Sequence, residues 1–570
     1  MKRLVGIAAC AMLLAAGAAV PAPAAAADRT ETAVASHSPI TTVAESVVRV
    51  RVPLPASVGP HPAACDWLSY LRFRDASGPA RSADADRILV AQPGILEGAG
   101  AFDSVARNTI TQAAQQGEHI EFWALDRRSN CLEDHTGRDA ALTARDTHLA
   151  IDYYYWNRSV GGKTFAGFLD NSQLGWLGKV GLEQTVRDQY DLLLAELPDP
   201  ALRRQKVLCG GHSLGGILTG FFAVWDFDGN HATTADAGYR QCGGYFALDT
   251  SISTSLDDLT GGGGTVIEDP GLSYLATQAA LDTGLLTRSL SLPVLINAET
   301  MNLLGIAGLA AEVAPGAESD LASYLPSNLN IDTTQRILFS KDLLTFLAGT
   351  PTTKDFRLTN EAVLGALLDD HSQPLAFLET SVGFFDGGRI VDKNFPLPND
   401  LKNVPGLEGL SAQFGVEPMA IPDQPHGPLY TWRNYNRIGA PDDPVYRQAN
   451  GEPFTNGSKE VTAIQELARS FAEHPLDFTE QYFPTKLMTD IFQSDADQVG
   501  KDAVHEEGLT ANPTIRLLAG DSFTRPPSAS STETVVMPGY QHLDVLTAAP
   551  RQNNGGPEQV AVNLARFAIS

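Results

Sequence analysis

Residues 206–225 read Lys206-Val207-Leu208-Cys209-Gly210-Gly211-His212-Ser213-Leu214-Gly215-Gly216-Ile217-Leu218-Thr219-Gly220-Phe221-Phe222-Ala223-Val224-Trp225. The apolar run 206–209 predicts a buried strand, and 217–225 predicts a helix packed closely at its start. Between them G-x-S-x-G marks a sharp strand-to-helix turn. A serine hydroxyl is a weak nucleophile unless it is exposed, close to a base and close to donors that hold a developing oxyanion. A tight turn lifts Ser213 out of the sheet, and it leaves no room for side chains at Gly211 and Gly215. The N-terminus of the following helix then aims N–H groups and the positive end of its dipole at the same place.

Working outward, the rest of the chain supplies strands and helices in alternation. Residues 46–52 and 67–74 alternate apolar and polar and predict an antiparallel pair. Buried strands are expected at 87–92, 119–125, 243–249, 513–519 and 533–537, and helices at 104–116, 182–197 and 559–569. Residues 28–42 read as a loose polar lead-in, and 150–180, rich in Tyr, Trp, Gly and Asn, as a rim above the site. Such alternation predicts a mostly parallel sheet flanked by helices, with the active site at the carboxyl ends of the strands.

From about 253 to 508 this rhythm stops, and the composition predicts a mainly helical cap or lid inserted before the last two strands, with helices at 303–313, 338–347 and 461–472. Within it, Leu292-Pro293-Val294-Leu295-Ile296-Asn297-Ala298-Glu299 also reads as a buried strand. The expected organisation is a leader over 1–27, a core over 28–252, the cap over 253–508 and the end of the core over 509–570.

The leader has Lys2 and Arg3, an apolar stretch over 4–20 and a small-residue end near Ala27, the pattern of a cleavable signal peptide. Removing it takes the net charge from −26 to −28. That charge disfavours nucleic acids and anionic membranes as partners. No later stretch reads as a transmembrane span, so no stable membrane insertion is expected. Four cysteines remain in an exported chain, which permits two disulfides. Cys65–Cys131 is the preferred bridge, whereas Cys209 reads either as half of a second bridge or as a buried thiol. Asp226, Asp228 and Asn230 alternate as calcium ligands do, but the loop lacks the EF-hand spacing and reads as a polar turn.

Gly-His-Ser-Leu-Gly-Gly resembles the nucleophile elbow of α/β-hydrolase lipases and esterases, and Gly539-Tyr540-Gln541-His542-Leu543-Asp544 resembles the histidine loop of that superfamily. The resemblance covers roughly residues 40–255 and 510–570. It implies an α/β-hydrolase fold and the catalytic order Ser, acid, His. Ser213 is then the nucleophile and His542 the base. Asp521, after the penultimate strand, is the preferred acid; Asp249, one strand earlier, is the alternative, and Glu299 a distant third. Asp544 reads as a support for the histidine loop. The oxyanion hole is expected at the N–H groups of Leu214 and Ile95, with Pro93-Gly94 where the family often has His-Gly. Asp126 and Arg127 read as structural.

No H-E-x-x-H, paired C-x-x-C, dinucleotide or P-loop fingerprint is present, so no metal and no cofactor are expected. The expectation is a secreted or periplasmic enzyme that cleaves small-molecule or lipid-like carboxylic esters through an acyl-enzyme. The aliphatic cap favours an apolar acyl or alcohol group. The alternatives are an exported serine peptidase or amidase on the same fold, and a non-catalytic binding protein that retains it.

Overall fold

The computed structural model describes residues 28–260, 270–292, 295–401, 414–524 and 532–570. The leader expected over 1–27 lies outside them. Nine strands form the central sheet: β1 (Arg29–Ala33), β2 (Val43–Arg51), β3 (Trp67–Asp75), β4 (Arg87–Gln92), β5 (Ile120–Asp126), β6 (Val207–His212), β7 (Gly244–Leu248) and, after a long excursion, β13 (Thr514–Ala519) and β14 (Glu533–Met537). Their spatial order is β1-β2-β3-β5-β4-β6-β7-β13-β14. The first three and the β3–β5 pair are antiparallel; every pair from β5 to β14 is parallel.

The inner parallel strands β4, β5, β6, β7 and β13 are buried over almost their whole length, in keeping with their largely apolar content, whereas the edge strand β14 is mostly exposed. β1 corrects the expectation of a loose lead-in. Arg29 pairs with Val50 and Ala33 with Ser46, although all five residues of β1 are exposed. Its backbone completes the edge of the sheet without burying a side chain, so it carries no hydrophobic signal.

Helices Asp103–Ala114 and Gln559–Ile569 pack together, as do Leu182–Glu196 and Leu214–Val224. Leu182–Glu196 buries Leu182, Val186, Leu192 and Leu193 on one stripe and ends two residues before Pro198. Two disulfides, Cys65–Cys131 and Cys209–Cys242, tie early loops and the elbow strand to their neighbours. Cys209 is therefore not a free thiol.

Between β7 and β13 the chain leaves the sheet. Among its described residues the regular structure is mainly helix, including Pro270–Thr283, Ala298–Val313, Leu329–Phe339, Asn360–Leu368, Ile464–Ala472 and Thr485–Phe492, joined by long irregular stretches. It also holds two small sheets, which the sequence pattern did not predict. One orders β8 (Arg357–Leu358), β12 (Leu429–Asn434) and β9 (Gly383–Asp386); the other pairs β10 (Ile390–Asp392) with β11 (Ala420–Pro422). These strands are two to six residues long, too short to establish an alternating pattern.

The strand expected at 292–299 is corrected as well. Leu292 pairs with Ile296 in an isolated bridge, and Asn297 caps the helix Ala298–Val313 in a capping box with Thr300. Pro293 and Val294 lie outside the described residues. The helix expected at 338–347 is two helices, Leu329–Phe339 and Leu343–Ala348, the second opened by the Asp342 side chain accepting from the Thr345 N–H.

The excursion shares one core with the sheet, since a single apolar cluster runs from Ile88, Phe122 and Phe246 to Phe384, Trp432 and Phe471. A buried ionic cluster joins the two parts as well. Asp103, at the start of its helix, takes Arg107 Nε at 2.6 Å and Arg469 Nη2 at 2.5 Å, the latter from the excursion helix Ile464–Ala472. Glu45 on β2 takes Arg107 at 2.5 Å and His474 Nδ1 at 2.7 Å.

Asp103→Ala leaves Arg107 and Arg469 short of a buried partner, and it is expected to cost about 3–5 kcal/mol of unfolding free energy. Burial alone would raise the Asp103 carboxyl, but Arg469, His474 and Arg107 outweigh it and hold the group below its ordinary range. Its contribution is therefore complete above the unfolded pKa of about 3.9 and fades as the pH falls below that value. Urea unfolding at neutral and acid pH checks this: the gap between wild type and variant should narrow in acid.

Candidate active site

Ser213 stands between β6 and the helix Leu214–Val224 with φ 52° and ψ −121°. A non-glycine residue at positive φ is strained by about 1–3 kcal/mol. Packing on both sides holds it there. The Ser213 N–H donates to Leu248 O at 3.1 Å, and His212 lies opposite Leu248 in the β6–β7 register. A Cβ on Gly211 would sit 2.5 Å from the Gln92 carbonyl oxygen, and one on Gly215 would press still closer on the same atom. The glycines therefore let the end of β4 touch the turn.

Asp249 directly follows β7, also at positive φ (44°). Its Oδ2 lies 2.6 Å from His542 Nδ1. Three further donors reach the same carboxylate: Ala519 N–H at 3.0 Å, Ser522 Oγ at 2.6 Å and Thr524 Oγ1 at 2.6 Å. Burial by itself would raise Asp249, but the bonds from His542, Ser522 and Thr524 and the charge of His542 outweigh it and hold the group low. His542 is moved below its ordinary value, first by burial and then by the neighbouring His212, against the pull of Asp249.

A serine at a strained strand-to-helix turn, an aspartate after the next strand and a histidine after the last strand, all at the carboxyl edge of this sheet, decide the assignment. The chain has the α/β-hydrolase fold. No family model matches it, and no curated protein matches it. Among solved structures it is similar to the peroxisomal alpha-beta-hydrolase Lpx1 from Saccharomyces cerevisiae, with 11% sequence identity over 95% of this chain and 89% of that chain, at a TM-score of 0.31. The assignment rests on the strand order and the turn of this chain, not on that likeness.

Within this fold the carboxylate facing His542 is that of Asp249, the alternative acid, rather than that of the preferred Asp521. The Asp521 N–H donates to Tyr540 O at 3.0 Å, and its carboxylate, 30% exposed, lies 4.0 Å from Lys459 Nζ. The reason is register. β7 is the immediate neighbour of β6, whereas β13 lies one strand further out. The 520–524 turn after β13 instead brings Ser522 and Thr524 to Asp249 and sets the Phe523 ring 4.6 Å from the His542 ring. Sequence reading missed these three residues, since a Ser-Phe-Thr turn carries no signal of its own. Glu299 sits in the first turn of the helix Ala298–Val313 and accepts from Asn328 and Asn330 at 2.7 Å.

Leu214 is the first residue of the elbow helix, whose leading N–H groups have no acceptor within the helix. Ile95 lies half-buried in the turn after β4. The Gly94 N–H in that turn is taken by Glu97 Oε2 at 2.6 Å, and Arg127 claims the carbonyls of Pro93 and Gly94. Arg127 also pairs with Glu480 of the excursion at 2.6 Å.

Asp544 anchors the histidine loop. It accepts from the Gln541 N–H at 2.7 Å, from Thr462 Oγ1 at 2.6 Å and from the Ser381 N–H at 3.1 Å, and burial pushes it up to about 6. Ser213 is 3% exposed and His542 1%.

Asp226, Asp228 and Asp236 bring carboxylate oxygens near one another, but they accept the N–H groups of Phe227, Asp228, Gly229 and Asn230 at 2.6–2.7 Å, the bonding of a polar turn. Among the described residues none of the groups spaced to hold a metal includes Ser213, Asp249 or His542.

Gly215→Ala should cost about 1–3 kcal/mol through overpacking against Gln92. Gly175→Ala, where an added Cβ meets nothing within 4 Å, should stay within about 0.5 kcal/mol of wild type. Urea midpoints of the two variants test the comparison.

Proposed function

We propose that this chain is an exported serine hydrolase that cleaves carboxylic esters. The observation that carries the reading is the 2.6 Å Asp249–His542 contact beside the strained turn of Ser213. In this reading His542 Nε2 takes the Ser213 hydroxyl proton as Oγ attacks the ester carbonyl carbon. The resulting oxyanion receives the N–H groups of Leu214 and Ile95. The imidazolium, oriented by Asp249, then gives its proton to the departing alkoxide, which leaves an acyl-enzyme. Water, deprotonated by the same histidine, releases the acid.

Burial suits this task. A histidine held low is neutral, and so competent as a base, down to mildly acidic pH. Segment 253–508 serves as the cap, and its apolar helices favour an apolar acyl or alcohol group. The leader and the two disulfides support export. Among the described residues no helix is long and apolar enough to cross a membrane.

Turnover of p-nitrophenyl esters from short to long acyl groups should be measurable with the mature protein and abolished in Ser213→Ala. Asp249→Asn should lose about 10³–10⁴-fold in kcat, as loss of the orienting acid does elsewhere, while Asp521→Asn stays near wild type. Near-normal turnover in Asp249→Asn would sink the assignment of the acid. Turnover of anilides or peptides in preference to every ester would move the function to the peptidase reading.

A further inference from the structure

Behind Ser213 lies a second acid–histidine pair that the mechanism above does not use. His212 is fully buried. Its Nδ1 lies 2.7 Å from Glu97 Oε1, and its Nε2 lies 3.0 Å from the backbone oxygen of His542. The two imidazole rings, His212 and His542, are 4.4 Å apart between centroids and tilted by 41°. The second Glu97 oxygen takes the Gly94 N–H at 2.6 Å.

A carbonyl oxygen can only accept, so Nε2 of His212 carries hydrogen. Glu97 Oε2 accepts from Gly94 and Oε1 faces Nδ1 at 2.7 Å; with the carboxylate ionised, Nδ1 carries the second hydrogen. Both ring nitrogens are then donors, which describes an imidazolium.

Resting on the serine-hydrolase reading, we infer that Glu97 and His212 form a positioning ion pair that locks the loop after β4, the elbow and the His542 backbone into one unit and keeps His542 neutral. His212 and Glu97 touch neither the reacting atoms nor the substrate; they act through Gly94 and His542. The ionisable groups facing the two rings are Glu97 from the loop after β4, Asp249 from the end of β7, and the rings themselves. Burial alone would lower His212, but Glu97 outweighs it and holds the ring above its ordinary value, while the same pairing holds Glu97 low against its own burial. A cation beside His542 disfavours a second positive charge there. The pair thus works on His542 from one side as Asp249 works from the other.

The test is the rate at which a fluorophosphonate labels Ser213, followed between about pH 5 and 9, where the free base is titrated. His212→Gln keeps a donor but removes the cation, and it leaves the Glu97 charge uncompensated. It should slow maximal labelling roughly tenfold to a hundredfold by loosening the geometry. The concentration dependence should barely change, and the acid limb should move up by roughly half a unit or more. Glu97→Gln removes the anion and releases the cation together, so its acid limb should move less than that of His212→Gln. Tm values of both variants separate misfolding from this effect: a destabilised variant with an unmoved acid limb means a merely structural pair and overturns the inference.

Histidine-selective ¹⁵N NMR of Ser213→Ala gives a readout free of activity. The His212 ring should hold both N–H protons at about pH 8, beyond the ordinary histidine range. A neutral ring there overturns the inference even if esters are hydrolysed. Absence of Ser213 labelling in the unsubstituted protein instead marks failure of the hydrolase reading, and the positioning role falls with it. Labelling with an immobile acid limb marks failure of the ion pair alone.

Discussion

The turn at Ser213 is the constraint from which the rest follows. A serine at φ 52° persists only if the strands on either side cannot relax. β6 is clamped between β4 and β7, and the helix that leaves the turn packs so closely that Gly211 and Gly215 both meet the Gln92 carbonyl. Gly216 and Gly220 on the same helix face Thr250 and Ser253 with equally little space. A run of glycines in a buried helix is otherwise unfavourable. Here it lets the helix sit low enough for the loop after β4 to lie beside Ser213.

That closeness removes water, and the polar groups left behind must then satisfy one another. They do so in a continuous chain: Gly94 N–H to Glu97, Glu97 to His212, His212 to the His542 carbonyl, His542 to Asp249, and Asp249 to Ser522, Thr524 and the Ala519 N–H. Arg127 closes the other side of the same loop through the Pro93 and Gly94 carbonyls and Glu480. In a dry interior each of these bonds is stronger than in water, and each missing partner would be costly. The arrangement therefore fixes positions as well as charges.

How much of this is legible in the sequence depends on what makes a signal. Parallel strands buried on both faces read as apolar runs, and β4 and β7 are legible for that reason. The elbow is legible because its backbone demands glycine at fixed offsets. β1 is not, since all of its side chains face water. The acid is ambiguous because Asp249 and Asp521 each follow a strand; only the spatial order of the strands separates them, and local sequence does not encode it. Glu97, Ser522 and Thr524 are silent, being residue types that usually sit on surfaces. His212 is visible as part of the elbow, yet its partner lies more than a hundred residues upstream.

The excursion leaves at the carboxyl end of β7 and returns at the amino end of the neighbouring parallel strand β13, where Thr514 lies opposite Tyr245, so it crosses from one edge of the sheet to the other. A parallel crossover needs a long connection in any case, and the entropy cost of closing it rises little with each added residue, so the junction tolerates a large insertion. This insertion does more than cover the sheet. Ser381 and Thr462 hold Asp544, the Leu543 N–H rests on Glu379 O at 3.1 Å, Asp370 takes the Gln541 amide, and Glu480 holds Arg127. A rigid displacement of the whole segment would therefore break these contacts to the His542 and Arg127 loops. The strips around 379–381, 462 and 480 thus belong to the packing that holds the His542 and Arg127 loops in place.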